Sequence, residues 1–123
     1  MSVAHDKTLR LYALVRSDLG MSAGKVASQA GHAFIGAFLQ ASPERQAEYH
    51  SDGVGTKVCL ECPSLEALQR VYDRARDAGL PCVFIEDSGR NTCFNGVTTA
   101  TAVGIGPVTK DEAPFLKRFQ LKS

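Results

Sequence analysis

The segment Met21-Ser22-Ala23-Gly24-Lys25-Val26-Ala27-Ser28-Gln29-Ala30-Gly31-His32-Ala33 constrains this chain more than any other. It follows an apolar run, Leu9 to Val15, and the turn-rich Ser17-Asp18-Leu19-Gly20. Ser22 is a good helix cap, so the order predicts a strand, a tight turn and then a helix from Ser22 to about Gln40. Along that helix Ala27, Ala30, Gly31, Ala33, Gly36 and Ala37 carry almost no bulk, which suits close packing on a sheet. Lys25, Gln29 and His32 stand at i, i+4 and i+7, putting a cation, an amide and an imidazole on one face near the helix N-terminus. The free N–H groups and positive partial charge of that end favour an anionic ligand or a developing oxyanion.

Downstream, Ser42-Pro43-Glu44 opens a second, short helix that ends near Ser51-Asp52-Gly53. Thr56 to Glu61 reads as a strand. Leu65, Leu68, Val71, Tyr72 and Ala75 recur at helical spacing, and Gly79 stops that helix. Cys82 to Ile85 is a buried-looking strand, expected centrally and parallel to the first; a polar loop from Glu86 to Gly96 follows. Thr98 to Ile105 makes a fourth strand, Thr109-Lys110-Asp111-Glu112 is a capping box for a final short helix, and Phe119 to Leu121 suits a small edge strand. Strands separated by helices imply parallel crossovers, while the last pair can be antiparallel. The expected architecture is therefore α/β: one three-layer domain, with a mixed, mostly parallel sheet of about four strands and helices on both faces. Residues 1–8 are expected to form a flexible tail and 9–123 the domain.

The chain has 123 residues, and fourteen basic against thirteen acidic side chains leave +1, so overall charge does not announce a nucleic-acid binder. Such a partner must be met by a local basic patch. No apolar run approaches the roughly 18–20 residues that span a bilayer, and Met1 to Arg10 lacks a signal-peptide core, so the expected compartment is the cytoplasm, with no membrane partner. Cysteines there are reduced thiols. Cys59-x-x-Cys62 falls in a strand, where residues three apart face opposite sides, and no second pair completes a zinc site. No metal or other cofactor is expected.

A strand, a glycine turn and Gly24-Lys25 at a helix start invite a phosphate-loop reading. Gly20 to Gly24 has three intervening residues where the nucleotide motif needs four, and Val26 stands where that motif has Ser or Thr. The second constellation is Asp87-Ser88-Gly89-Arg90-Asn91-Thr92, directly after a strand. In open α/β sheets ligands bind beyond the carboxyl ends of strands, and the first helix begins at the same edge. Asp87 and Arg90 can therefore approach Lys25, with Asp87 as its salt-bridge partner. Thr98 and Thr99 can offer hydroxyls to the same pocket. Tyr12 and Tyr49 can stack a base, with packing as the plainer role.

These residues resemble the type 2 peptidyl-tRNA hydrolases, the archaeal and eukaryotic kind. The likeness runs through Val15 to Leu19, Met21 to Gln29 with His32-Ala33, Lys57-Val58, Ala78 to Pro81, Asp87 to Arg90, and Gly104 to Pro107. Lys25, Gln29 and His32 match the family's helix motif; Asp87 and Arg90 match its loop motif. The resemblance implies metal-independent hydrolysis of the ester joining a peptide to tRNA, and often a homodimer. It suggests Lys25, His32 and Asp87 as the catalytic groups. Gln29 with the loop threonines Thr92, Thr98 and Thr99 would hold the peptide or terminal adenosine, and Arg16, Lys25, Lys57, Arg90 and Lys110 the tRNA phosphates. The family usually reads Gly-Arg-Thr-Gln and then Pro-Gly where this chain has Gly89-Arg90-Asn91-Thr92 and Asn95-Gly96, leaving Thr92, Thr98 or Thr99 to supply the loop hydroxyl. The competing readings are a non-catalytic adaptor for RNA ends or proteins, and a small-ester esterase.

Overall fold

The computed structural model describes residues 6–51, 53–88, 94 and 96–123. Strand β1 (Arg10–Arg16) leads through Ser17–Met21 to helix α1 (Ala23–Gln40), whose N-cap Ser22 accepts from the Lys25 amide. Helix α2 (Pro43–Tyr49) is capped by Ser42 and has proline in its first turn, where the missing N–H costs nothing. Strand β2 (Thr56–Cys62), helix α3 (Leu65–Asp77), strand β3 (Cys82–Asp87) and strand β4 (Thr99–Val108) follow. Gly79, at φ 71°, ends α3: its N–H donates to Arg76 and that of Leu80 to Ala75, which satisfies two carbonyls of the last turn. The capping box at Thr109 is present, over a single 3-10 turn (Lys110–Glu112), and a second such turn covers Pro114–Arg118. The tail strand is one antiparallel bridge, Leu60 to Leu121.

The sheet order is β2-β1-β4-β3. Three strands share a direction and β4 runs against them, pairing antiparallel with both β1 and β3. β3 thus lies at an edge rather than in the centre. β4 takes the central place because it is nearly all apolar: from Thr101 to Val108 every residue is buried.

Alternation along the strands sorts two cores. Tyr12, Leu14, Val103 and Ile105 meet Leu68, Val71 and Ala75 of α3 on one face. Ala13, Val15 and Ala102 meet Ala30 and Ala33 of α1 on the other, with Leu11, Ala37 and Tyr49 continuing that layer. Helices therefore cover both faces. The smooth side of α1 is needed: a Cβ on Gly104 would lie 2.0 Å from the Ala33 carbonyl oxygen, and one on Gly36 would lie 2.8 Å from Val83. Cys59 and Cys62 face opposite cores, as the strand reading required, and burial raises the pKa of both thiols. Tyr12 and Tyr49 are packing residues; the Tyr49 hydroxyl donates to the Thr56 carbonyl.

Candidate active site

The C-terminal ends of β1 and β3 share one edge of the sheet, because both strands run antiparallel to the β4 between them. Helix α1 starts at that edge. Alternation from Val83 and Ile85, which face α1, turns Asp87 toward the same layer. Lys25 Nζ lies 2.6 Å from Asp87 Oδ2, and both side chains are largely withdrawn from solvent, at 20% and 9% exposure. Gln29, one turn further along α1, points into the protein and donates from Nε2 to the same Oδ2 at 2.9 Å. The Lys25 ammonium also stands 5.8 Å from the centre of the Phe94 ring.

The cluster has a fourth member that the sequence reading passed over. Thr101 is fully buried, and its hydroxyl donates to Gln29 Oε1 at 2.5 Å. A carboxylate only accepts, so the glutamine must turn its NH2 toward Asp87, which leaves Oε1 for a donor behind it. Thr101 is that donor. Simple alternation from Val103 and Ile105 would send Thr101 toward α3. The register between β3 and β4 shifts instead: Ile85 pairs with Ala102 and Glu86 with Ala100, so Thr101 stands between the pairs. Such an irregularity re-aims a side chain, here onto the α1 face. A hydroxyl within an otherwise apolar run was the available signal; the bulge that directs it was not.

The remaining expected residues fall in different places. His32 is on the exposed side of α1, and its side chain has no hydrogen bond or ion pair among the described residues. It does not share the buried face of Gln29, because i+3 from a residue aimed at the sheet turns partly back to water. Arg90 and Thr92 lie outside the described residues. Thr98 is exposed; Thr99 pairs with Asp87 across the ladder and donates to the Val97 carbonyl. Arg16 sits at the end of β1 but faces the α3 side, where it donates to both carboxylate oxygens of Asp18 and to the Ala100 carbonyl. Its guanidinium holds the Asp18 carboxyl below the usual carboxylate range. Lys57 is at the start of β2, opposite Leu11, and so at the far end of the sheet; it donates to the Val54 carbonyl. A cleft of about 780 Å³ also lies at that far end, lined by Gln40, Arg45, Tyr72, Arg76 and Cys82 among others. Volume alone does not mark the Lys25–Asp87 cluster; convergent charge does.

An open α/β domain with a lysine, a carboxylate and an amide gathered at the strand ends has the form of a small hydrolase or anion-binding domain. The family model for peptidyl-tRNA hydrolase PTH2 matches residues 9–121, and the chain belongs to that family. It is 41% identical over 107 residues to a peptidyl-tRNA hydrolase of Methanocaldococcus jannaschii, covering 85% of this chain and 90% of that protein. A peptidyl-tRNA hydrolase of Aeropyrum pernix is 43% identical over 100 residues, with 76% and 81% covered. One from Sulfolobus acidocaldarius is 31% identical over 106 residues, with 80% and 88% covered.

Proposed function

We propose that this protein hydrolyses the ester between a peptide and tRNA, using the edge of the sheet where α1 begins. The observation that carries the reading is the shared Oδ2 of Asp87, which receives both the Lys25 ammonium and the Gln29 amide. Two donors on one oxygen fix the carboxylate against rotation. Asp87 aligns a water and takes its proton as the water oxygen bonds to the ester carbonyl carbon. Charge then develops on the carbonyl oxygen, and Lys25 with the first-turn N–H groups of α1 stabilises it. Collapse breaks the bond to the ribose oxygen of the terminal adenosine. That oxygen receives the proton held by Asp87, leaving a free tRNA end and a peptide carboxylic acid that then gives its remaining proton to solvent. The ester is activated, so positioning and one well-placed charge are sufficient and no metal is invoked. His32, exposed beyond Gln29, is assigned the passage of the acid's proton to solvent, and Arg90 with the loop threonines the terminal nucleotide.

The test is release of an N-blocked amino acid from tRNA, run with EDTA. Lys25→Ala should lower kcat about a hundred- to a thousand-fold and Asp87→Asn about a hundred- to ten-thousand-fold, with the folded content unchanged. His32→Ala, lacking contact with Asp87, should cost only a few-fold. Turnover near wild type in either of the first two variants removes that residue from the mechanism.

The same reading extends to setting and assembly. No described helix is long and apolar enough to cross a membrane; we assign the protein to the cytoplasm, where tRNA is, with residues 9–123 as one domain. We assign a second copy to the outer face of α1, where Ile35 and Leu39, one turn apart, are 61% and 66% exposed. Sedimentation should then show a dimer that Ile35→Glu with Leu39→Glu converts to monomer; a wild-type monomer at tens of micromolar removes this assembly.

A further inference from the structure

The face opposite the Lys25–Asp87 cluster carries cations of its own. Arg70 and Arg74 stand one turn apart on the exposed side of α3, and Lys117 and Arg118 end the second 3-10 turn. Among the described residues none of the four forms an ion pair. Asp73, beside them on α3, accepts from Gln69. Two of the arginines lie over aromatic rings, Arg74 over Phe115 and Arg118 over Phe119, each at 5.2 Å. A stacked guanidinium has its plane set by the ring and keeps its N–H edge outward, the fork that suits phosphate oxygens.

The cations line connected ground. Arg70 and Arg118 border one groove of about 390 Å³ with Ser17 and Phe119. Lys110 and Lys117 border the next, again with Phe119. Ser17 links this surface to the candidate active site: it follows Arg16 at the end of β1, and its N–H donates to the Cys62 carbonyl at 2.8 Å. That is the edge from which α1 departs. A polyanion lying along the groove and rounding this edge arrives at Asp87.

We infer that the face formed by α3 and the C-terminal 3-10 turns binds the phosphate backbone of the double-stranded stem whose 3′ end carries the ester. The inference rests on the hydrolase reading for which RNA is bound, though not for its own test. The surface is shallow and charged, with rings already occupied by arginines. It suits a duplex recognised through phosphates and shape, without base reading. On a chain of net charge +1 the polyanion would be met by these four cations, although Glu61 also lines the groove and Glu66, Asp73 and Asp77 share α3 with the arginines.

Binding of deacylated tRNA to the full-length protein, followed by fluorescence anisotropy across a salt series, tests this directly. Arg70→Gln with Arg118→Gln should raise Kd about tenfold or more near physiological salt and make the log–log salt slope shallower by about two, at roughly 0.9 per duplex phosphate lost. Arg74→Gln with Lys117→Gln should act in the same direction, and serves if the first pair disturbs folding. Lys7→Gln, which removes an exposed cation at the opposite end of the sheet, should leave the slope as in wild type. The variants should cleave an N-blocked aminoacyl ester on the single-stranded 3′ trinucleotide at the wild-type rate. Unchanged tRNA affinity and slope in both double variants overturn the inference, as does loss of binding only to an acidic peptide or anionic vesicles. Equal loss on tRNA and on the short ester also overturns it, because the arginines would then act on the ester centre. If the wild type cleaves neither ester, the hydrolase reading fails, while the anisotropy series still decides the surface.

Discussion

At the scale of residues, Thr101 reaches the candidate site through Gln29. Its hydroxyl fills the Oε1 side of Gln29, and Gln29 in turn holds Asp87. Thr101→Val keeps the shape and removes the donor, leaving a buried amide oxygen unsatisfied at a cost of about 1–3 kcal/mol. Urea unfolding should show that loss. With its amide free to rotate, Gln29 no longer fixes the carboxylate, and kcat should fall about tenfold while KM changes little. Thr101→Ser, which restores the hydroxyl, should recover most of both. A variant that loses stability without losing kcat would make Thr101 a packing residue only.

At the scale of elements, the closeness of α1 to β4 and to β3 sets where Lys25 and Gln29 sit relative to Asp87. Two glycines enforce it to different degrees. At Gly104 an added Cβ meets backbone, the Ala33 carbonyl, which cannot yield unless the helix moves. Gly104→Ala should therefore destabilise by about 3 kcal/mol or more and displace the lysine from the carboxylate, so activity falls with stability. At Gly36 the obstacle is the half-buried Val83 side chain, which can shift. Gly36→Ala should cost about 1 kcal/mol and spare activity. Chemical denaturation of the two variants, paired with the release assay, checks the ranking; equal costs would mean the helix rides more loosely on the sheet than the packing shows.

At the scale of the whole molecule, one ion pair ties the layers around the end of the sheet. Arg45 of α2 donates to the Pro107 carbonyl at the end of β4 and to both carboxylate oxygens of Glu112. Glu112 also accepts from the Thr109 N–H. Burial raises the pKa of the Glu112 carboxyl, but the Arg45 and Thr109 bonds outweigh it, and the net shift is downward. A carboxylate whose folded pKa is depressed stabilises the protein above its unfolded pKa, and that contribution disappears as pH falls through the folded value. Glu112→Gln should thus cost about 1 kcal/mol at pH 7, a modest figure because both partners are about one-third exposed. The difference from wild type should shrink once the pH drops below the ordinary glutamate range. A cost that stays constant down to acid pH would show that the charge of Glu112 is not involved.

Local chemistry made much of this protein legible from its residues. Ser22, Ser42, Thr109 and Gly79 mark helix ends because each satisfies backbone groups within its own turn. The meeting of Lys25 with Asp87 followed from connectivity alone, since a helix leaving one strand and a loop leaving another share an edge when the strands point the same way. Other features belong to packing between distant segments. The central place of β4 depends on two neighbours competing for its ladder. The separation of His32 from Gln29 depends on how α1 is rotated against the sheet. The bulge that turns Thr101 inward depends on the register of two strands. Spacing along a chain specifies periodicity, but only the assembled layers choose which side of each period faces inward.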